Sequence, residues 1–305
     1  MTVSVVIPTY NSARFLAETL ASVQQQTLTD WEILIIDGGS TDGTAALAQR
    51  FCQTDERIHW HTQSGGVAIS RNYGVRLAQY PLVAFLDSDD CWHPERLAAH
   101  VAHLDRNPNL AISYSRAEFI HPDSSPTGTV SNNRLQRVEP HHFLAVNPTI
   151  SMSNIIVRQA VATTIPMNET MSYSEDIEWV FRVMLAGWQV AGLDRVLLQY
   201  RINPNGLSAQ LYQMEAGWEQ FIAIARRQAP DLVERYYAGA RAAQLRYLAR
   251  RALRLECPPA ISADFLSRAL QSDWTLLLKA PKTILLALAI YTLPLTTLWR
   301  PRHAA

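Results

Sequence analysis

The chain of 305 residues carries 27 Lys and Arg against 27 Asp and Glu, and 48% of it is hydrophobic, enough for a full α/β core plus a further element. The charge is uneven: residues 1–215 hold 14 basic and 21 acidic side chains, residues 216–305 hold 13 and 6, so the back half favours an anionic partner. Cys52, Cys91 and Cys257 have neither pairing nor metal-ligand spacing, which excludes a disulfide framework or a zinc site and predicts free thiols in a reducing cytosol.

Val3–Pro8 is a short run rich in β-branched residues and reads as a buried strand. No basic region precedes it and it is too short for a secretory leader. Asn11 is expected to cap the next helix, on which Leu16, Leu20 and Val23 recur at helical spacing. Glu32–Asp37 is a second buried strand, followed by a Gly/Ser/Thr/Asp turn and a helix over Thr44–Cys52. Leu82–Leu86 is a further strand that ends at Asp87. Pro94 then marks a first helical turn, with Leu97, Val101 and Leu104 on one face. This alternation predicts an α/β fold with a mostly parallel sheet flanked by helices. Ligands of such sheets bind at the carboxyl ends of the strands.

Residues 121–140 are rich in Pro, Ser, Asn and Thr and read as a loop. Ser151–Val157 reads as a strand or strand edge, and Glu175–Gly187 as a helix with Ile177, Val180, Phe181, Met184 and Leu185 in one stripe. Beyond residue 215 the pattern is helical, with one long Arg-studded helix over Asp231–Glu256. The domains expected are 1–215, the α/β unit, and 216–305, a helical basic extension with an apolar segment at about 274–299. Within it Thr283–Trp299 runs 17 residues without a charge, flanked by Lys279, Lys282, Arg300 and Arg302. Length at the short limit for a span and basic residues on both sides favour a segment lying on an anionic membrane surface over a crossing. The Arg residues lack the interleaved features of nucleic-acid recognition, so no nucleic acid is expected.

The polar motifs cluster at the strand ends. Pro8-Thr9-Tyr10-Asn11 ends the first strand, Asp37-Gly38-Gly39-Ser40-Thr41-Asp42-Gly43-Thr44 follows the second, Arg71-Asn72-Tyr73-Gly74 opens a helix, and Asp87-Ser88-Asp89-Asp90 ends the third predicted strand. A nucleoside diphosphate needs a face for its base, acceptors for the base edge and cations for its phosphates. Tyr10 can stack, Asp37 can accept from a base edge, and Arg71 can pair with phosphate through its planar fork. Asp87 and Asp89 can hold Mn2+ or Mg2+, which binds through few carboxylates plus substrate phosphates. Ser174-Glu175-Asp176-Ile177-Glu178-Trp179 offers a carboxylate able to take a proton from an acceptor hydroxyl. The helix dipole alone also favours acidic residues there, so this motif draws its meaning from the others.

The set PTYN, DGGSTDGT, RNYG, LDSDD and SEDIEWVFR, over roughly residues 1–210, resembles the family 2 inverting glycosyltransferases of GT-A fold. The resemblance implies a nucleoside-diphosphate sugar donor, a UDP-sugar first among them, a divalent metal and single displacement. Carried over by position, Pro8, Thr9 and Tyr10 line the base pocket, Asp37 contacts the nucleobase and Arg71 the nucleotide. Asp87 faces the ribose or the metal's water shell, Asp89 is the direct metal ligand, and Asp176 is the base with Glu175 beside it. Tyr200-Arg201 resembles the family's Tyr-Arg-x-His segment, with Asn203 at the His position, where it supplies no positive charge. Gly38 stands where many members have a second acidic residue, and Thr163–Tyr173 lacks their glycine-rich acceptor stretch. There is no Gln-x-x-Arg-Trp motif, which points to a non-processive enzyme adding one sugar to a glycan or lipid-linked acceptor. Such an enzyme belongs in the cytoplasm, peripheral at the inner membrane face.

Two alternatives remain. A sugar nucleotidyltransferase would carry a basic Gly-rich loop where this chain has Pro8–Asn11. A degenerate binding or scaffold subunit is favoured by Asn203 and opposed by intact Asp87, Asp89 and Asp176. A dinucleotide oxidoreductase is excluded by the lack of G-x-G-x-x-G after a strand.

Overall fold

The computed structural model describes residues 1–203, 206–280 and 282–297. They form two compact units, one of Met1–Pro140 with Asn147–Asn203, the other of His141–Val146 with the chain from Pro204 onward.

The first unit begins with β1 (Val3–Thr9), α1 (Leu16–Gln24), β2 (Trp31–Asp37), α2 (Thr44–Thr54), β3 (Ile58–Thr62), α3 (Val67–Leu77) and β4 (Leu82–Phe85). It continues through β5 (Cys91–Trp92), α4 (Arg96–Arg106), β6 (Leu110–Ile120) and β7 (Pro126–Val130). After α5 (Pro140–Ala145), most of which belongs to the second unit, come β8 (Ile156–Arg158), α6 (Gln159–Thr164), α7 (Glu175–Leu185) and β9 (Gln189–Arg201). One sheet runs β3-β2-β1-β4-β8-β6-β9-β5, with β7 on β6. β1 pairs in parallel with β2 and β4, and β2 with β3. β8 is antiparallel to both β4 and β6, while β6 and β9 run parallel. The chain is thus α/β with a parallel half followed by a mixed half.

Every residue of β2 is buried, the pattern of a strand covered on both faces. Val3, Val5 and Ile7 of β1, Ile33 and Ile35 of β2, and Leu82 and Ala84 of β4 share a core with Leu16, Leu20 and Val23 of α1 and Leu97 and Leu104 of α4. From β1 the order steps to β2 and β3 on one side and to β4 on the other. In open α/β sheets ligands bind at such a reversal, here outside the carboxyl ends of β1 and β4.

Several local expectations need correction. Asn11 does not cap α1, which starts at Leu16; its backbone is left-handed and its Oδ1 accepts from Thr41 N at 2.9 Å. Residues 121–140 are not a continuous loop, because β7 hydrogen-bonds back onto β6 within them. The segment from Ser151 is a 3-10 turn over Met152–Asn154, and only then a strand. The helix expected from Glu175 ends at Leu185, with Gly187 following at φ 92°, a left-handed conformation that glycine adopts without strain. The three cysteines are free.

The second unit contains α8 (Leu211–Gln228), α9 (Pro230–Arg254), α10 (Pro259–Ser272), α11 (Leu276–Lys279) and α12 (Lys282–Thr297). Pro230 and Pro259 open their helices, where the missing N–H costs nothing. α9 covers the long helix expected over Asp231–Glu256. Its Ala242, Leu245, Leu248, Ala249 and Ala252 pack with Phe265, Leu266 and Ala269 of α10 and with Leu286 and Ile290 of α12. Trp218 of α8 donates to Leu144 O at 2.8 Å, and His141 stacks on Tyr236 of α9, which ties the short α5 segment to these helices. Among the described residues no helix is long and apolar enough to cross a membrane. The last two residues of the uncharged run, Leu298 and Trp299, and the flanking Arg300 and Arg302 lie outside the described residues.

Candidate active site

The ends of β1 and β2 are stitched together by their own polar residues. Gly38 N donates to Thr9 O at 2.8 Å, and Asn11 N to Ser40 Oγ at 2.9 Å. Asp37 is 2% exposed, and its Oδ1 accepts from Gly39 N, Ser40 N and Ser40 Oγ at 3.2, 2.9 and 2.6 Å. Gly39 sits at φ 97°, which this tight turn requires. Thr9 is buried, with Oγ1 3.4 Å from Ile36 O, and Pro8 is half-buried opposite Ile36. Tyr10 projects from this platform with its residue 65% exposed, so an aromatic face is available to a base.

Asp87-Ser88-Asp89-Asp90 follows the carboxyl end of β4 and leads into β5. Thr19 of α1 donates to both Ser88 O and Asp90 O, at 3.0 and 2.9 Å, and Ser153 Oγ accepts from Asp87 N at 3.0 Å. Asp90 is buried, and burial together with the charges of Asp89 and Asp87 pushes its carboxyl well above the usual range. Asp89 is half-buried and is raised first by burial and then by Asp87. Its Oδ2 accepts from Asn203 Nδ2 at 3.1 Å.

Arg71 joins this segment to α7. It is 4% exposed; Nη2 donates to Asp87 Oδ1 at 2.7 Å and Nη1 to Glu175 Oε1 at 2.8 Å. The fork that the sequence suggests for phosphate is occupied by two carboxylates. Burial alone would disfavour the guanidinium charge, but Asp87 and Glu175 more than offset it. Glu175 is itself buried, and burial plus the Asp176 charge push its carboxyl up to about 7 against the pull of Arg71.

Asp176 is half-buried. Its Oδ2 accepts from Asn147 Nδ2 at 2.8 Å and its Oδ1 from Ile177 N at 2.8 Å. Burial raises its carboxyl, and the charge of Asp87 reaches it and adds to that. Ser174, immediately before α7, is left-handed at φ 60°, a conformation that costs a non-glycine residue about 1–3 kcal/mol. Glu178, third in the acidic turn, is tied to Arg182 at 2.6 Å and 98% withdrawn from solvent as a side chain, so it is structural.

Three groups escaped the sequence. Asn72, next to Arg71, donates to Met167 O and Glu169 Oε1 at 2.9 Å and accepts from Met167 N at 2.9 Å, fixing the segment before α7. Asn147 reaches Asp176 from a stretch with no motif. Arg201 braces Asp89 and Asp90 from β9, 112 residues from Asp89 in the chain. Only the neighbour of Tyr200 in a short motif pointed to it.

The carboxylate set fits a divalent cation of one coordination style. Among the described residues no group of three or more His, Cys, Asp or Glu could hold a metal by itself. Asp87, Asp89 and Asp90 crowd together; Arg71 pairs with Asp87, Arg201 is the nearby cation for Asp89, and the side chain that bonds the Asp89 carboxylate is the neutral amide of Asn203. That surplus of negative charge suits a cation completed by substrate phosphates rather than an all-protein cage.

Residues 4–162 match the family model described as glycosyl transferase family 2. The chain belongs to this family. TuaG of Bacillus subtilis (strain 168), provisionally named a teichuronic acid biosynthesis glycosyltransferase, is 27% identical over 213 residues, covering 69% of this chain and 83% of TuaG. WfgD of Escherichia coli, named a UDP-Glc:alpha-D-GlcNAc-diphosphoundecaprenol beta-1,3-glucosyltransferase, is 30% identical over 122 residues, covering 40% of this chain and about half of WfgD, 48%. Among solved structures, the mannosyltransferase PcManGT of Pyrobaculum calidifontis, in complex with GDP-Man and Mn2+, superposes with a TM-score of 0.63 at 19% identity, over 97% of this chain and 87% of PcManGT. The family 2 chain is thus a glycosyltransferase with a GT-A-type fold, as its motifs suggest.

Proposed function

We propose that this protein transfers one sugar, with inversion, from a nucleoside-diphosphate donor to a hydroxyl of a glycan or lipid-linked acceptor. The observation that carries this is the Asp87–Arg71–Glu175 bridge, with bonds of 2.7 and 2.8 Å. It brings the strand-end carboxylates and the start of α7 into one polar site, with Asp176 adjacent.

In this reading the base stacks on Tyr10 between Pro8 and Thr9, and Asp37 accepts from its edge. Oδ1 of Asp37 holds the turn, so Oδ2 is the oxygen that meets the nucleotide. Asp89, with Asp87, holds Mn2+ or Mg2+, whose charge offsets that building on the departing diphosphate. Asp176 takes the proton of the acceptor hydroxyl as its oxygen attacks the anomeric carbon. Its raised carboxyl suits a group that must accept a proton near neutrality. Arg71 and Glu175 keep that carboxylate in register. PcManGT's complex with GDP-Man and Mn2+ supports the donor class and the cation, and WfgD's name supports a lipid-linked acceptor. A UDP-sugar is the first donor to test.

The helical unit is the part we assign to the membrane surface, as a peripheral contact on the cytoplasmic side. α12 buries Thr283, Leu286 and Ile290 and exposes Ile284, Leu285 and Leu288; Trp274 and Leu278 are 65% and 73% exposed nearby in sequence, beside Lys279 and Lys282. Apolar residues flanked by lysines suit an anionic bilayer. Sedimentation with phosphatidylglycerol vesicles tests it, and binding unchanged by Leu285→Asp with Leu278→Asp counts against it.

The main reading is tested by incubating the protein with Mn2+, a UDP- or GDP-sugar and a diphosphoprenyl-linked sugar acceptor. Transfer with inverted anomeric configuration by NMR is expected. Retention of configuration, or transfer that persists in EDTA, overturns it.

A further inference from the structure

The end of β9 meets the Asp87–Asp90 segment at three points. Arg201, whose side chain is fully withdrawn from solvent, donates from Nε to Asp89 O at 2.6 Å. Its main-chain N donates to Asp90 Oδ1 at 2.8 Å. Two residues on, Asn203 Nδ2 donates to Asp89 Oδ2 at 3.1 Å. The rest of the Arg201 fork is anchored: Nη2 on Glu18 Oε2 at 2.8 Å, Nη1 on Ser124 Oγ at 2.8 Å and on the carbonyls of His121 and Pro122 at 3.2 and 3.3 Å. The main chain and the carboxylate of Asp89 are therefore held from the same short stretch by different groups. The Asn203 bond to Oδ2 restrains the rotation of the Asp89 carboxylate.

We propose that Asn203 and Arg201 are positioning residues for the cation, Arg201 fixing where the Asp89 main chain lies and Asn203 fixing which carboxylate oxygen is offered. This rests on the assignment of Asp89 as a metal ligand. Groups that orient a ligating carboxylate set its metal affinity, and their loss typically costs 10- to 100-fold. An amide does this without adding charge. The negative charge of Asp89 stays available to the cation, whereas a cation at position 203 would compete for it. Asparagine at this position, where the resemblance leads one to expect histidine, is then a working substitution, with the site's positive charge left to the metal.

The test is a calorimetric titration of the full-length protein with Mn2+ in the presence of uridine diphosphate. Asn203→Leu, which keeps the size and removes the donor, is expected to raise the Kd for Mn2+ by 10- to 100-fold, with the unfolding midpoint unchanged and the loss in turnover offset by raising Mn2+. Asn203→Ala, which also removes the donor, serves if the leucine variant does not fold. Arg201→Lys, which keeps the charge but not the fork, is expected to weaken Mn2+ in the same direction. A Kd within fivefold of wild type for a folded Asn203 variant overturns the proposal. Asp89→Ala separates the two levels. If it too leaves Mn2+ affinity intact, the metal assignment itself fails; if it alone abolishes binding, only the role of Asn203 and Arg201 falls.

Discussion

Arg71 Nη1 lies 2.8 Å from Glu175 Oε1, between side chains that are 5% and 10% exposed and residues that stand 104 apart in sequence. Replacing Arg71 by Met keeps the bulk and strands Glu175 and Asp87. Removing one partner of a buried pair costs about 3–5 kcal/mol. The sign of its pH dependence follows from Glu175, whose carboxyl is pushed up to about 7 in the folded protein against an ordinary value of 4.5. A raised folded value means stability that is complete below 4.5 and lost as pH rises through 7. Without Arg71 the carboxyl rises further. The Arg71→Met deficit is therefore expected to be smaller at pH 6 than at pH 8 in urea unfolding, and Glu175→Gln in the same background should remove the difference.

Much of this site was legible because it stands on parallel strands. β1, β2 and β4 are short apolar runs buried on both faces, and their polar ends mark where the chain leaves the sheet. The mixed half was harder to read. β6 carries Ser113, Ser115 and Arg116 within its 11 residues, and β9 carries Gln189, Asp194, Arg195 and Gln199 within its 13, so neither shows an apolar run or clean alternation. Their polar residues are matched instead by partners far away in the chain, such as Asn154 Nδ2 on Ser115 O at 2.7 Å. Arg96 is an extreme case: it is fully buried and stacked over Trp92 at 4.9 Å, and nothing in the sequence marks it as a core residue. The carboxylate bridge of Arg71 was unreadable for the same reason, since its partner Glu175 lies 104 residues on.

Asp176→Asn is expected to lower turnover by about 100- to 10,000-fold. Uridine diphosphate binding should persist, because neither recorded bond of Asp176 goes to a donor-side group: its partners are Asn147 and Ile177. A base works only when deprotonated. Burial raises the Asp176 carboxyl above the ordinary value of 3.8, so kcat/KM should rise with pH through an inflection above that value. The profile of kcat/KM against pH at saturating Mn2+ checks this. A flat profile for the wild type across that range, or loss of uridine diphosphate binding in the variant, would assign Asp176 to structure.

Gly74 closes the helix face on which Arg71 and Asn72 sit. A Cβ there would lie 2.3 and 2.9 Å from Cγ1 and Cγ2 of Val6 on β1. Gly74→Ala must push α3 off the sheet or force Val6 from its rotamer, at about 1–3 kcal/mol. The shift would also pull Arg71 from Asp87, so donor affinity should fall along with the unfolding midpoint. Val6→Ala makes room for the new methyl. The double variant is expected to recover donor affinity relative to Gly74→Ala alone, measured by titration with uridine diphosphate and Mn2+.

His100 and His103 on α4 both place Nδ1 on Ser113 Oγ, at 2.7 and 2.8 Å. One hydroxyl has a single proton to give, so one imidazole accepts at Nδ1 and the other donates there. The accepting ring must then be neutral, since a protonated imidazole has no acceptor nitrogen. His100 is fully buried, and burial, with the charges of Arg96, His103 and Arg195, lowers its value well below 6.5. A depressed folded value means stability that is complete above pH 6.5 and lost as pH falls toward the folded value, because only the unfolded chain takes the proton freely. This slope is opposite in sign to that of Glu175, so Glu175→Gln is the background in which to measure it. There, urea unfolding should show stability falling between pH 6.5 and 5. His100→Gln should flatten that fall while lowering stability at pH 8, and an acid slope unchanged by the substitution would place the titrating group elsewhere.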